Sequence, residues 1–377
     1  MRIINKILEI AKQNLTNLSG WHTKRKIVVF ESDDWGATRM YDKDAYKYLL
    51  NKGYPVDNCP YNRNDRIESN EDVSVLAETL LKYKDQFNHP AKFTLNNIVA
   101  NPDFDKIKAS DFQEYHYETF QTTLSRYEDA DQVVDLLQEG IQKELFQPQL
   151  HGREHINVEL WLKRLQAKEQ RFLDAFEQKM YTVTGSGKVS GRRDNLDTYG
   201  SFETKGKYHD YSKNIRESQE LFFKAWGFNS QTFIAPCYVW HPNLEQILVE
   251  NKIKGIQGTH VQRVPLQTGF QVKKKYHFTG QINALKQVYL NRNVMFEPAE
   301  NPQVDVVNEA LKQINLAFKY NKPAIISSHR LNYIGGLNYK NRTENIKKLD
   351  ILLMAITKQW KHVEFMSSDQ LINLINK

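Results

Sequence analysis

Two adjacent carboxylates, Asp33 and Asp34, end the apolar run Ile27-Val28-Val29-Phe30 and are followed by Trp35 and Gly36. A short run rich in β-branched residues reads as a buried strand. α/β folds place their chemistry at the C-terminal ends of such strands. The same residues also suit an Asp-rich turn or a helix cap at Asp34. A second group is His151-Gly152-Arg153-Glu154-His155. Two imidazoles and one carboxylate are a usual ligand set for a catalytic zinc-type site that leaves one position to water. If the backbone is helical there, histidines four apart point the same way. The third is His329, which ends the run Ala324-Ile325-Ile326-Ser327-Ser328.

These residues must be positioned by elements distant in sequence. Apolar runs predict strands near 26–31, 91–97, 146–151, 231–235, 253–259, 293–296, 323–328 and 362–366. Helical spacing predicts helices near 43–52, 71–86, 110–143, 157–180, 218–226, 244–251, 304–320 and 345–359. Strands alternating with helices imply an α/β fold with a parallel sheet, and seven or eight such units favour a barrel. In a parallel barrel all the strand ends open on one face. Asp33-Asp34, His151, Pro236-Cys237-Tyr238 and His329 then share one cleft. Adjacent strand residues point to opposite sides, so separate tasks for Asp33 and Asp34 require a bend, for which Gly36 is the candidate. Glu297 is read as the start of a loop. Trp35, Pro236, Tyr238 and Trp240 are candidate substrate contacts, with packing beneath the rim as the alternative. Residues 1–20 are read as an amphipathic helix and 21–377 as the barrel. Segment 182–214, with Gly185, Gly187, Gly191 and Gly200 among Ser, Lys, Arg and Asp, is read as an insertion or lid.

In motif order these residues resemble the polysaccharide deacetylases with the NodB-homology domain, over roughly 25–370. Glu31-Ser32-Asp33-Asp34-Trp35-Gly36 is similar to that family's Thr-Phe-Asp-Asp motif. His151-Gly152-Arg153-Glu154-His155 is similar to its His-Ser/Thr-x-x-His motif, with Gly152 in place of the hydroxyl residue. Ser327-Ser328-His329 is similar to its Leu-x-His motif. Phe233-Ile234-Ala235-Pro236-Cys237-Tyr238 keeps the proline and aromatic of Arg-x-Pro-Tyr but has no arginine, and the family's Asp/Trp-bearing strand has no clear counterpart. The resemblance implies a distorted (β/α) barrel, NodB-like, with insertions. It implies a divalent metal, zinc being expected, held by Asp34, His151 and His155. Asp33 would be the base that deprotonates the metal-activated water, and His329 the acid that protonates the leaving amine. The missing arginine would hold the base ionised; Arg39, Arg153 and Arg330 are possible substitutes, each otherwise read as a surface residue.

The expected activity is deacetylation of an amino sugar or glycan, at nitrogen in preference to oxygen. Its chemistry is consistent with these groups: a metal lowers the pKa of bound water to about 7, and a histidine near neutrality suits the departing amine. Two rivals remain at this stage. One is a glycoside hydrolase using paired carboxylates such as Asp33 and Glu297; the other is a non-catalytic glycan-binding protein.

The bulk properties exclude other classes. The 377 residues carry a net charge of +7, too modest for a nucleic-acid partner without a basic stripe. Lys273-Lys274-Lys275 is read as a solvated turn. Cys59 and Cys237 form no metal-binding pair or disulfide framework. No apolar stretch is long enough for a bilayer. The N-terminus follows helical spacing and does not resemble a signal peptide. The expectation is a soluble, cytoplasmic protein whose residues 1–18 contact a subunit, the domain or a membrane surface through Arg2, Lys6 and Lys12.

Overall fold

The computed structural model describes residues 16–181, 183, 188–189, 192–193, 197–267 and 271–377. Residues 1–15 of the expected helix at 1–20, which include Arg2, Lys6 and Lys12, and ten residues of the 182–214 segment lie outside them. The elements that build the site are, in chain order, β1 (Lys26–Trp35), β2 (Phe93–Asn97), β3 (Phe146–Leu150), α1 (Val158–Gln166), α2 (Gln170–Glu177), β4 (Thr232–Ile234), β5 (Gly255–Gly258), β6 (Val288–Asn291), β7 (Val294–Met295), β8 (Ala324–His329) and β9 (Val363–Phe365).

The strands form one parallel sheet in the order β6-β5-β4-β3-β2-β1-β8-β7, and β9 pairs with the lower half of β1. β6 and β7, at opposite ends of this order, are separated in sequence only by Arg292 and Asn293. The sheet therefore curls until both its ends belong to one run of chain. Across the join, the Arg292 N–H donates to Gly258 O at 2.9 Å and the Asn293 N–H to Ile325 O at 3.0 Å. This is the distorted α/β barrel expected.

β1 is the central stave. Its β-branched and aromatic residues are buried from Ile27 onward, as a strand covered on both faces requires. Phe30 stacks on Phe93 of β2 with ring centroids 4.8 Å apart. The interior is partly polar: Asn96 Nδ2 donates to Gln257 Oε1 at 2.9 Å, and Gln257 Nε2 to Thr232 Oγ1 at 2.8 Å. Burial of these two amide N–H donors is tolerated because each finds an acceptor.

Three expectations about local structure change. The helix expected over 157–180 is two helices, α1 and α2. Lys168 between them has φ +54°, and both bury aromatic and leucine side chains in one cluster with Phe112. The expected helix over 110–143 shrinks to Phe120–Leu124 and Val133–Gln142. Asp111 and Phe112 have positive φ, and Tyr117–Thr119 pairs as a strand with Ala100–Pro102. Lys273–Lys275 lies on a solvated strand, Val272–Tyr276, antiparallel to Val261–Pro265. Among the described residues no helix is long and apolar enough to cross a membrane.

Candidate metal and acid–base centre

Asp33 and Asp34 emerge from β1 beside His329, the last residue of β8; Asp33 and His329 are direct partners in register. The bend that separates the two carboxylates falls first on Asp34 itself, at φ +75°, and again at Gly36, at φ +79°. The β1–β2 register shifts between Ser32 and Trp35 at this point. A non-glycine residue in the left-handed region is uncommon, Asp being among the more tolerant, and such strain gathers at functional sites.

His151 and His155 follow β3 on a loop, so their common direction does not come from a helix. Gly152 turns this loop at φ +111°, and a Cβ there would lie 2.9 Å from the Tyr199 hydroxyl. Glycine in place of a hydroxyl residue follows from that backbone. The two Nε2 atoms each lie 3.4 Å from Asp34 Oδ1. His151 Nδ1 is 2.9 Å from Ile234 O. A carbonyl can only accept, so Nδ1 carries a proton, and Nε2 is the ring atom left to face Asp34. Burial and the nearby Arg39 charge push the His155 pKa well below its ordinary value, so this ring is neutral. Asp34, despite burial, is held well below the usual carboxylate range chiefly by the Arg39 charge. Two imidazole nitrogens thus converge on one carboxylate oxygen inside the protein. A divalent cation fits that donor set.

Asp33 has different partners. Arg292 Nη2 donates to its Oδ1 at 2.6 Å and Nη1 to its Oδ2 at 2.7 Å, a bidentate pair. Asn96 Nδ2 donates to Oδ1 at 2.7 Å. Arg292 Nε donates to Glu31 Oε2 at 2.7 Å, so one fully buried guanidinium serves two carboxylates. Burial disfavours charge on Asp33, but Arg292 more than offsets this and lowers its pKa.

Arg292 is the arginine that sequence reasoning missed. It comes from the join between β6 and β7, not from the strand before Pro236. The available signal was a basic residue interrupting the apolar run from Val288 to Phe296. The three substitutes considered are buried and committed elsewhere. Arg39 pairs with Asp34, Arg153 with Glu154 and Glu217, and Arg330 with Asp65 and Glu68.

His329 Nε2 faces Asp33 Oδ2 at 3.7 Å, and Nδ1 is 2.7 Å from Glu297 Oε1. Asn332 Nδ2 donates to the other Glu297 oxygen at 2.7 Å. Burial alone would lower the His329 pKa; Glu297, Asp33 and Asp34 outweigh it and raise it to about 10. Glu297, read from sequence as a loop-starting residue, is therefore buried against this histidine. Tyr238, with Cys237, has φ +57°, and its hydroxyl lies 3.3 Å from Arg292 Nη1.

Two expected substrate contacts are withdrawn from the surface. The Trp35 indole is 1% exposed and donates to Ser32 Oγ at 2.9 Å. Trp240 is 2% exposed and donates to Glu245 Oε1 at 3.3 Å. Pro236 is buried directly after β4, starting the turn that carries Tyr238.

The chain matches no family model and no curated protein. Among solved structures it is similar to a putative polysaccharide deacetylase from Mycobacterium smegmatis, with 12% identity over 95% of this chain and 93% of that one and a TM-score of 0.42. It is also similar to Puue allantoinase, with 9% identity, 94% and 91% coverage and a TM-score of 0.44. A third is 4-alpha-glucanotransferase from Thermococcus litoralis, with 10% identity and a TM-score of 0.45; 93% of this chain covers 40% of that one. At these identities and scores none bears on the chemistry, which rests on the geometry of the site.

Proposed function

We propose that the protein is a metal-dependent carbohydrate deacetylase that hydrolyses an N-acetyl group of an amino sugar or glycan. The observation that carries this reading is the Asp34–His151–His155 donor set beside a separately held Asp33–His329 pair. A divalent cation bound by those three side chains, zinc by expectation, supplies Lewis acidity for the acyl carbonyl and lowers the pKa of water.

The chain's own residues provide the proton traffic. Arg292 and Asn96 fix Asp33 in its ionised form, the form able to accept a proton from the attacking water. Glu297 keeps His329 protonated at Nδ1 and turns Nε2 toward the space beside Asp33. His329 then donates its Nε2 proton to the leaving amine. Base and acid thus flank one small gap, with opposite protonation states set by Arg292 and Glu297. Tyr238 at the rim is the substrate contact this geometry favours.

No observation favours the glycosidase alternative, whose second carboxylate, Glu297, is held by His329 and Asn332. Acetate release from N-acetylated oligosaccharides tests the proposal. Metal-loaded protein should release acetate, and metal-stripped protein and His151→Ala should not. Undiminished release by His151→Ala would overturn it.

A further inference from the structure

Asp34 offers the histidines one oxygen only. Both imidazole Nε2 atoms lie 3.4 Å from Oδ1, whereas Oδ2 accepts a hydrogen bond from Arg39 Nη2 at 2.9 Å. Carboxylates bind cations through one oxygen or two, and here the second is already occupied.

Arg39 is itself fixed from behind. Its Nε faces Asp65 Oδ2 at 3.6 Å, and its guanidinium lies 5.6 Å from the ring centroid of Tyr61 and 5.8 Å from that of Tyr181. Asp65 is tied in turn: Arg330 Nη2 donates to Asp65 Oδ1 at 2.9 Å and Arg330 Nη1 to Glu68 Oε2 at 2.7 Å. The Gly36 N–H donates to Glu68 Oε1 at 2.9 Å, returning the network to the end of β1. Turning Arg39 away from Asp34 would strand buried charge at both ends, which is costly.

We infer that Arg39 is a positioning residue that restricts Asp34 to one-oxygen ligation and so keeps the cation's coordination number low, leaving positions open to water and substrate. This rests on the metal-dependent reading above. Ligand orientation by outer groups of this kind commonly alters metal affinity or activity by about 10–100-fold when removed.

The test is spectroscopic and needs no turnover. Wild type and Arg39→Met are loaded with Co²⁺, and visible absorption is compared after thermal melting has confirmed that both are folded. Low-coordinate Co²⁺ absorbs strongly and six-coordinate Co²⁺ weakly, so the geometry is legible. The inference predicts an intense wild-type band that loses intensity in Arg39→Met as Oδ2 becomes a second ligand. Should Arg39→Met not fold, Arg39→Met/Asp65→Asn, which removes the facing charge as well, carries the same comparison. Equal, intense bands in wild type and variant overturn the role of Arg39 and leave the metal reading standing. A wild-type protein that binds no Co²⁺ overturns the metal reading and the role of Arg39 with it.

Discussion

Asp33 and Asp34 are neighbours in sequence, both buried, and each is held by one arginine, yet the two halves of the site are built differently. On the Asp33 side, Arg292 grips both carboxylate oxygens and also serves Glu31, so the carboxylate is locked as an ion. On the Asp34 side, Arg39 takes one oxygen and leaves the other facing two imidazoles. The left-handed backbone at Asp34 makes the division possible by turning consecutive side chains into different surroundings. On the proposed reading, the number of oxygens an arginine occupies separates the carboxylate that transfers a proton from the one that binds the cation.

The comparison breaks most visibly at the arginines. Arg292→Met leaves Glu31 and Asp33 buried without their cation and should cost about 3–5 kcal/mol in denaturant unfolding. Arg39→Met should cost less, about 3 kcal/mol at the lower end of that range, because it strands Asp34 alone while Asp65 keeps Arg330. Equal losses would contradict the asymmetry. Cation linkage sharpens it: Zn²⁺ at a hundredfold its Kd should stabilise wild type by about 2.7 kcal/mol. His155→Ala should lose that gain, seen as a melting temperature that no longer responds to Zn²⁺.

On the Asp33 side the prediction is a pH profile. A His329 pKa raised to about 10 keeps the proposed acid protonated through neutrality, so its loss of the proton should set the alkaline limb of the activity profile. The associated stabilisation is complete below about pH 6.5, the ordinary histidine value, and fades as pH rises toward the folded pKa. Glu297→Gln removes the nearest counter-charge and should move the alkaline limb to lower pH, with kcat reduced by about 10–100-fold. An unmoved limb would remove Glu297 from the account. The smallest effect belongs to Trp35→Phe, which loses one buried hydrogen bond and should cost about 0.5–1.5 kcal/mol of stability. Its KM should stay unchanged; a raised KM would restore Trp35 as a substrate contact.

Much of the frame was legible because apolar runs ending in polar residues mark strand ends, and a parallel barrel gathers those ends on one face. Asp33, Asp34, His151, Pro236 and His329 could be placed this way. Arg292 could not, because its bond to Asp33 spans 259 positions and arises from how the sheet's two ends meet. His151 and His155 meet without the helical backbone on which their spacing was conditional, because spacing alone does not report the positive φ at Gly152. The break between α1 and α2 falls on Lys168, a residue type that does not signal a left-handed turn. The burial of Trp35 and Trp240 depends on side-chain direction at a bulge and a kinked turn, which residue type does not reveal.

The most direct measurement is the metal stoichiometry of purified Asp33→Asn and Asp34→Asn beside wild type, by elemental analysis after saturation with Zn²⁺ and desalting. The account predicts one ion per chain in wild type and in Asp33→Asn, and none retained by Asp34→Asn. Equal metal content in the two variants would contradict the division of labour between the adjacent carboxylates.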